Sequence, residues 1–136
     1  MRIKAQTSIE LIVILSLMLS IFIVIVVSNN NMLSTSTSRL NQDKANSALD
    51  DISNAANSVY QQGTGAKTRV YVSVPQSAFN STVFNKTIKL QMYVKGQRIQ
   101  TVYRLFDFDI NGTLPNSSGS YWVDVEAYDS YVNMSY

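Results

Sequence analysis

The sequence predicts an α+β protein, with one long N-terminal helix followed by a small antiparallel β-sandwich-like domain. Three observations predict it. An apolar run extends from Ile9 to Val27. Apolar residues then recur at spacings of three and four between Ala45 and Val59, the period of an amphipathic helix. Beyond Lys67 the period changes to two, as in half-buried strands.

The apolar run covers nineteen residues and is interrupted only by Glu10, Ser16 and Ser20. As a helix rising ~1.5 Å per residue it is roughly 28 Å long, about one hydrocarbon thickness. Arg2 and Lys4 precede it, and no charge follows until Arg39. The positive-inside rule then puts the N-terminus in the cytoplasm and residues 28–136 outside. A secretory signal peptide fits poorly, because the run is long and no Ala-x-Ala-like site follows it. A buried core helix fits poorly too, since the residues beyond Lys67 are too few to cover so uniform an apolar surface. A membrane-spanning helix fits, apart from Glu10, whose carboxylate is expensive in lipid.

The residues just ahead of the run bear on that acid. In "KAQTSIELIVIL", Lys4-Ala5 precede Gln6, and Ser8 and Glu10 follow at alternate positions. The stretch resembles the archaeal class III signal peptide of type IV pilin-like proteins: a basic and a small residue, then Gln-x-Ser-x-Glu, then a long apolar helix. Gln6, Ser8 and Glu10 match, whereas Ile14 stands where some members carry Leu. The resemblance implies cleavage of the Ala5–Gln6 bond by a prepilin peptidase. Residues 1–5 would be the leader. Residues 6–27 would stay in the mature chain as the membrane-spanning and later filament-core helix. Glu10 would pair with the new α-amine of Gln6 on a neighbouring subunit, since opposite charges attract strongly at low dielectric. Thr7-Ser8-Ile9-Glu10 also reads as a capping box, which accounts for a helix start but not for an acid inside the apolar stretch.

Residues 28–66 continue the helix. Ser28 to Ser38 is rich in Asn, Ser and Thr, poor helix formers, so it reads either as a flexible linker or as a softened section of one helix. The amphipathic part follows, with Ala45, Ala48, Ile52, Ala55 and Val59 on one face and Leu49 and Ala56 widening it. Gly63-Thr64-Gly65 ends the helix. One helix from about Gln6 to Gln62 is expected.

Residues 67–136 form the expected extracytoplasmic β domain, with five or six antiparallel strands. Val70, Val72 and Val74 alternate with polar positions until Pro75. Ile88, Leu90, Met92 and Val94 alternate likewise and lead into a Gly96-Gln97 turn. A strand returns from Arg98 to about Ile110, with a parity slip between Leu105 and Phe106 that predicts a bulge or bend. Leu114 to Gly119 reads as a loop. Tyr121–Tyr128 and Tyr131–Tyr136 read as a hairpin around Asp129-Ser130.

The asparagines divide sharply. The seven before residue 60 all lack the Asn-x-Ser/Thr pattern, whereas the five after it, Asn80, Asn85, Asn111, Asn116 and Asn133, all have it. Chance gives five out of five in roughly 3 of 10,000 trials at this Ser and Thr content, before allowing for the shared turn preference of these residues. N-linked glycosylation of the external domain is expected.

Other chemistry is excluded or weakly signalled. The chain has no Cys and no His, which excludes disulfides, Cys/His zinc sites and Ser-His-Asp triads. Without Arg2 and Lys4 the basic and acidic residues balance at nine each, so no basic face for nucleic acid is expected. Asp107, Asp109, Asn111 and Gly112 begin like a calcium loop, but Ser118 stands where the bidentate Glu belongs. A strand with Phe106, Phe108 and Ile110 inward is preferred, and no metal or other cofactor is expected. No catalytic constellation appears, and an enzyme is not expected. Outward aromatics such as Tyr71, Tyr93 and Trp122 fit either β-propensity or a subunit or receptor contact. The expected role is a structural subunit of a pilus-like filament. Its partners would be copies of itself, the prepilin peptidase and the assembly machinery. It would lie in the membrane as a precursor and at the cell surface afterwards. The alternative is a minor pilin or a membrane-anchored surface protein for binding or adhesion.

Overall fold

The computed structural model describes residues 2–94 and 97–136, with side chains described from Ile9 onward except that of Asn31. Gly96, half of the expected Gly96-Gln97 turn, lies outside these residues, while Gln97 has a positive φ of 57°. The elements in order are α1 (Arg2–Gln62), β1 (Lys67–Val74), β2 (Ala78–Phe84), β3 (Thr87–Val94), β4 (Arg98–Leu105), β5 (Asp109–Gly112), β6 (Gly119–Ala127) and β7 (Tyr131–Ser135). The chain divides into two units, Met1–Thr37 and Ser38–Tyr136.

The first unit is helical. Its backbone is already helical at Arg2, so Thr7-Ser8-Ile9-Glu10 lies inside the helix and does not start it. Ile3, Lys4 and Ala5 offer no breaker, and Lys and Ala are good helix formers. The side chains of Thr7 and Ser8 lie outside the described residues. The Asn/Ser/Thr stretch from Ser28 to Ser38 is helical as well. Low propensity is a weak prior that a long helix overrides, and Thr37 Oγ1 donates to the Leu33 carbonyl at 3.0 Å.

The second unit holds the core. The helical face expected from spacing is the buried one: Ala45, Ala48, Leu49, Ile52, Ala55, Ala56 and Val59 are all buried. They form one hydrophobic cluster with residues of both sheets. The helix contributes mostly small side chains to that cluster, with Leu49, Ile52 and Val59 as its larger members. Gly63 ends the helix with φ of 92°, and its N–H donates to the Val59 carbonyl at 3.1 Å, the left-handed cap that glycine favours. Gly65 N–H then donates to the Ala127 carbonyl at 2.8 Å, and Ala127 N–H to the Ala66 carbonyl at 2.9 Å. Thr64 Oγ1 donates to Asp129 Oδ1 at 2.7 Å. The helix end is thereby held to the β6–β7 hairpin.

The strands form a four-stranded sheet in the order β1-β6-β7-β5 and a three-stranded sheet in the order β2-β3-β4. This differs from the expectation in three ways. There are seven strands among the described residues, and β2 lies in a stretch with no strand expected. The strand expected from Arg98 to Ile110 is two strands in different sheets, β4 and β5. The four-stranded sheet is mixed, because β5 runs parallel to β7. The last two follow from the parity slip at Leu105/Phe106. The chain leaves the three-stranded sheet there, buries Phe106 and Phe108, and joins the other sheet beside β7. Phe106 N–H donates to the Lys86 carbonyl at 2.8 Å and Ile110 N–H to the Asn85 carbonyl at 2.6 Å. The crossing segment is thus clamped to the β2–β3 turn.

The hairpin at Asp129-Ser130 forms as expected, closed by the Tyr128 N–H donating to the Tyr131 carbonyl at 2.8 Å. Residues 113–118 are the expected loop, and Leu114 and Pro115 are buried within it.

Candidate functional site

The features that carry chemistry fall in the two units separately. In the first, the large apolar residues between Ile9 and Val27 are all exposed, from 42% at Val26 to 67% at Leu11 and Leu15. A water-soluble domain does not leave so long an apolar stripe uncovered. The two hydroxyls inside it are satisfied within the helix: Ser16 Oγ donates to the Val13 carbonyl and Ser20 Oγ to the Ser16 carbonyl, both at 2.8 Å. Such bonds keep a polar group compatible with an apolar surrounding. By length and composition this is the one helix among the described residues able to cross a membrane.

Glu10 is exposed within that stripe. The ion pairs among the described residues are Lys67–Glu126, Arg69–Asp124 and Arg104–Asp50, so Glu10 has no charge partner on its own chain there. Ala5 and Gln6 have helical backbones, and their side chains lie outside the described residues.

In the second unit, each sequon asparagine reaches the surface. Asn80 on β2, Asn85 in the β2–β3 turn, Asn111 on β5 and Asn116 in the following loop are exposed, and Asn133 on β7 is half-buried. Local structure bears on four of the five positions. Asn85 occupies a two-residue turn at φ of 51°, a left-handed conformation Asn tolerates better than most residues. Asn80 Nδ2 donates to the Gln91 side chain at 2.9 Å on the solvent face of the three-stranded sheet. Asn111 and Asn133 are register partners across the parallel pair, and Asn111 Oδ1 accepts the Gly112 N–H at 2.8 Å.

Asp107 and Asp109 are both exposed, whereas Phe106, Phe108 and Ile110 alternate with them and are buried. Among the described residues no group of three or more acids could hold a metal ion.

The four-stranded sheet carries two of the three ion pairs among the described residues. Arg69 holds Asp124 through two bonds, Nε to Oδ1 at 2.6 Å and Nη2 to Oδ2 at 2.9 Å. That hydrogen bonding, with the guanidinium charge beside it, lowers the Asp124 carboxyl below its ordinary value. Tyr71 and Trp122 pair beside them, ring centres 5.0 Å apart, and both are more than half exposed. On the opposite sheet Tyr93, Ile99 and Tyr103 are exposed.

Sequence spacing did not anticipate an open cleft of about 560 Å³ lined by Phe84, Asn85, Asp109, Asn111, Ser130 and Tyr131 among others. Its residues come from three separate stretches, and in the sequence only the two sequons and the calcium-loop-like start at Asp109 mark any of them. Compared with protein-family models, curated proteins and solved structures, the chain finds no match.

Proposed function

We propose that the chain is a structural subunit of a type IV pilin-like surface filament. In this reading a prepilin peptidase cuts the Ala5–Gln6 bond. The helix through Val27 holds the precursor in the membrane and later packs among copies of itself in the filament core. Glu10 pairs with the α-amine of Gln6 on a neighbouring copy. The β domain stays outside the cell and carries N-linked glycans at sequon asparagines. The role is structural, with no catalysis and no cofactor.

The observation that carries this reading is the Gln6-x-Ser8-x-Glu10 pattern immediately ahead of an uncovered apolar helix. An acid with no ion pair among the described residues, in a stripe otherwise free of charge, is costly alone and is relieved by a partner on another chain. The test is Glu10→Gln. Filament yield should fall or subunit stagger change while precursor cleavage continues; normal filaments would oppose the reading.

A second reading is a minor pilin or membrane-anchored binding protein. The exposed Tyr71–Trp122 pair favours it, because such aromatics are enriched in contact surfaces. Abundance separates the two, since a major subunit dominates sheared filaments and a minor or anchored one does not.

A further inference from the structure

The cleft between the β2–β3 turn and the β5/β7 edge joins two sequon asparagines to aromatic and acidic side chains that the filament reading leaves unused. Asn85 and Asn111, twenty-six positions apart, both line it. The backbone bond from Ile110 N–H to the Asn85 carbonyl fixes the turn over β5. Phe84, at the edge of the cleft, is 71% exposed. Tyr131 lines the cleft too, and its ring stacks on Tyr128 with centres 4.9 Å apart and planes 8° apart, which holds the ring in place. Asp109 is exposed there and has no ion pair among the described residues.

Aromatic rings beside a carboxylate and amides suit a saccharide, which has apolar C–H faces and hydroxyl donors. The volume lies in the range of small-molecule sites. Two sequons open onto the cleft, and their side chains differ. Asn111 uses its amide oxygen on Gly112. Asn85 stands exposed at a hairpin tip where a transferase can reach it, and its side-chain amide has no hydrogen bond among the described residues.

We propose that a saccharide attached to Asn85 folds back into this cleft, its apolar face on Phe84 and Tyr131 and its hydroxyls donating to Asp109. The proposal rests on the glycosylation reading above. Attachment joins Asn85 Nδ2 to the anomeric carbon of a saccharide carried on a lipid phosphate. The carbon–oxygen bond to phosphate breaks, the phosphate leaves with the electron pair, and the amide gives up one proton. The seated sugar covers the exposed Phe84 ring and ties the β2–β3 turn to β5.

The test uses the full chain from its native host, with three variants: Thr87→Val, Asp109→Ala and the double variant. Thr87→Val removes the sequon but keeps Asn85 at its positive φ. Site-resolved glycopeptide mass spectrometry should find Asn85 occupied in the wild type and in Asp109→Ala. Thr87→Val should lower Tm by about 4 °C. Asp109→Ala should lower the Tm of the glycosylated chain but add nothing in the Thr87→Val background, because the two changes remove one interaction. Enzymatic removal of the glycan from the folded wild type should reproduce the Thr87→Val loss without a substitution. Additive effects, or no Tm change on removing the glycan, would overturn the seat. An unmodified Asn85 beside occupied sequons elsewhere would overturn the seat and leave external glycosylation standing. No saccharide anywhere would remove both.

Discussion

Arg104 on β4 donates through Nε to Asp50 Oδ1 of the helix at 2.6 Å, and its Nη2 lies 3.4 Å from Asn46 Oδ1, one helical turn earlier. This pair ties the amphipathic half of α1 to the edge strand of the three-stranded sheet. The Arg104 hydrogen bond, with its charge, lowers the Asp50 carboxyl below its ordinary value of 3.8, against a smaller desolvation effect that raises it. A lowered carboxyl contributes stability that is present above the unfolded value and lost as pH falls through the folded one. The contribution is therefore present at neutral pH and lost in the acid range below about 3.8. Arg104→Ala should lower stability by under about 1 kcal/mol, because Asp50 remains largely exposed. The acid limb of a Tm-against-pH curve should flatten in the variant. Asp124, lowered by Arg69, acts in the same direction and should keep part of that limb.

Gly112 should be far less replaceable than Gly63. A Cβ on Gly112 would fall 1.9 Å from the Met134 carbonyl oxygen, at φ of 114°. Both atoms belong to backbone held by the parallel β5–β7 pairing, so neither can yield cheaply. Gly112→Ala should cost roughly 2–4 kcal/mol. A Cβ on Gly63 meets nothing within 4 Å, leaving only the left-handed backbone penalty, about 1 kcal/mol. Denaturant unfolding of the two variants should separate them by their midpoints.

Leu49 and Ala56 test the helix–sheet core from opposite sides. Leu49 is 2% exposed and Ala56 fully buried. Leu49→Ala should cost about 3 kcal/mol through lost burial and a cavity. Ala56→Leu should cost about 1–3 kcal/mol because a close-packed interface has no room. A tolerated Ala56→Leu would mean that the helix and the sheets are not packed closely there.

If the β domain is external and glycosylated, native chain should be heavier than its sequence accounts for. The excess should map to peptides beyond Lys67, and none should map to the seven asparagines before residue 60. Glycopeptide mapping checks this directly, and a modified Asn41 or Asn46 would contradict the division.

The helix was legible because both its signals are local. The buried face from Ala45 to Val59 and the Gly63 stop follow from spacing and from one residue able to take a positive φ. Strands β1, β3, β6 and β7 were legible because Val, Ile, Leu and Met alternate with polar residues. Strand β2 was not. Its inward positions include Ser81, which donates to the Leu114 carbonyl at 2.8 Å, and its register slips between Ala78 and Asn80. A polar inward residue and a bulge together erase period two. The slip at Leu105/Phe106 was visible, but spacing alone cannot tell a bulge from a change of sheet. The parallel β5–β7 pairing follows from that change. The cleft is a product of topology, which brings Asn85, Asp109 and Tyr131 together from separate stretches. Of the candidate residues, Glu10 and the sequons were legible as motifs, because each is a short local pattern.

The most direct test of the central claim is the N-terminal residue of the protein recovered from sheared cell-surface filaments. The account predicts Gln6 as the first residue, with the apolar helix retained behind it. Met1 as the first residue, or a chain beginning beyond Val27, would contradict it.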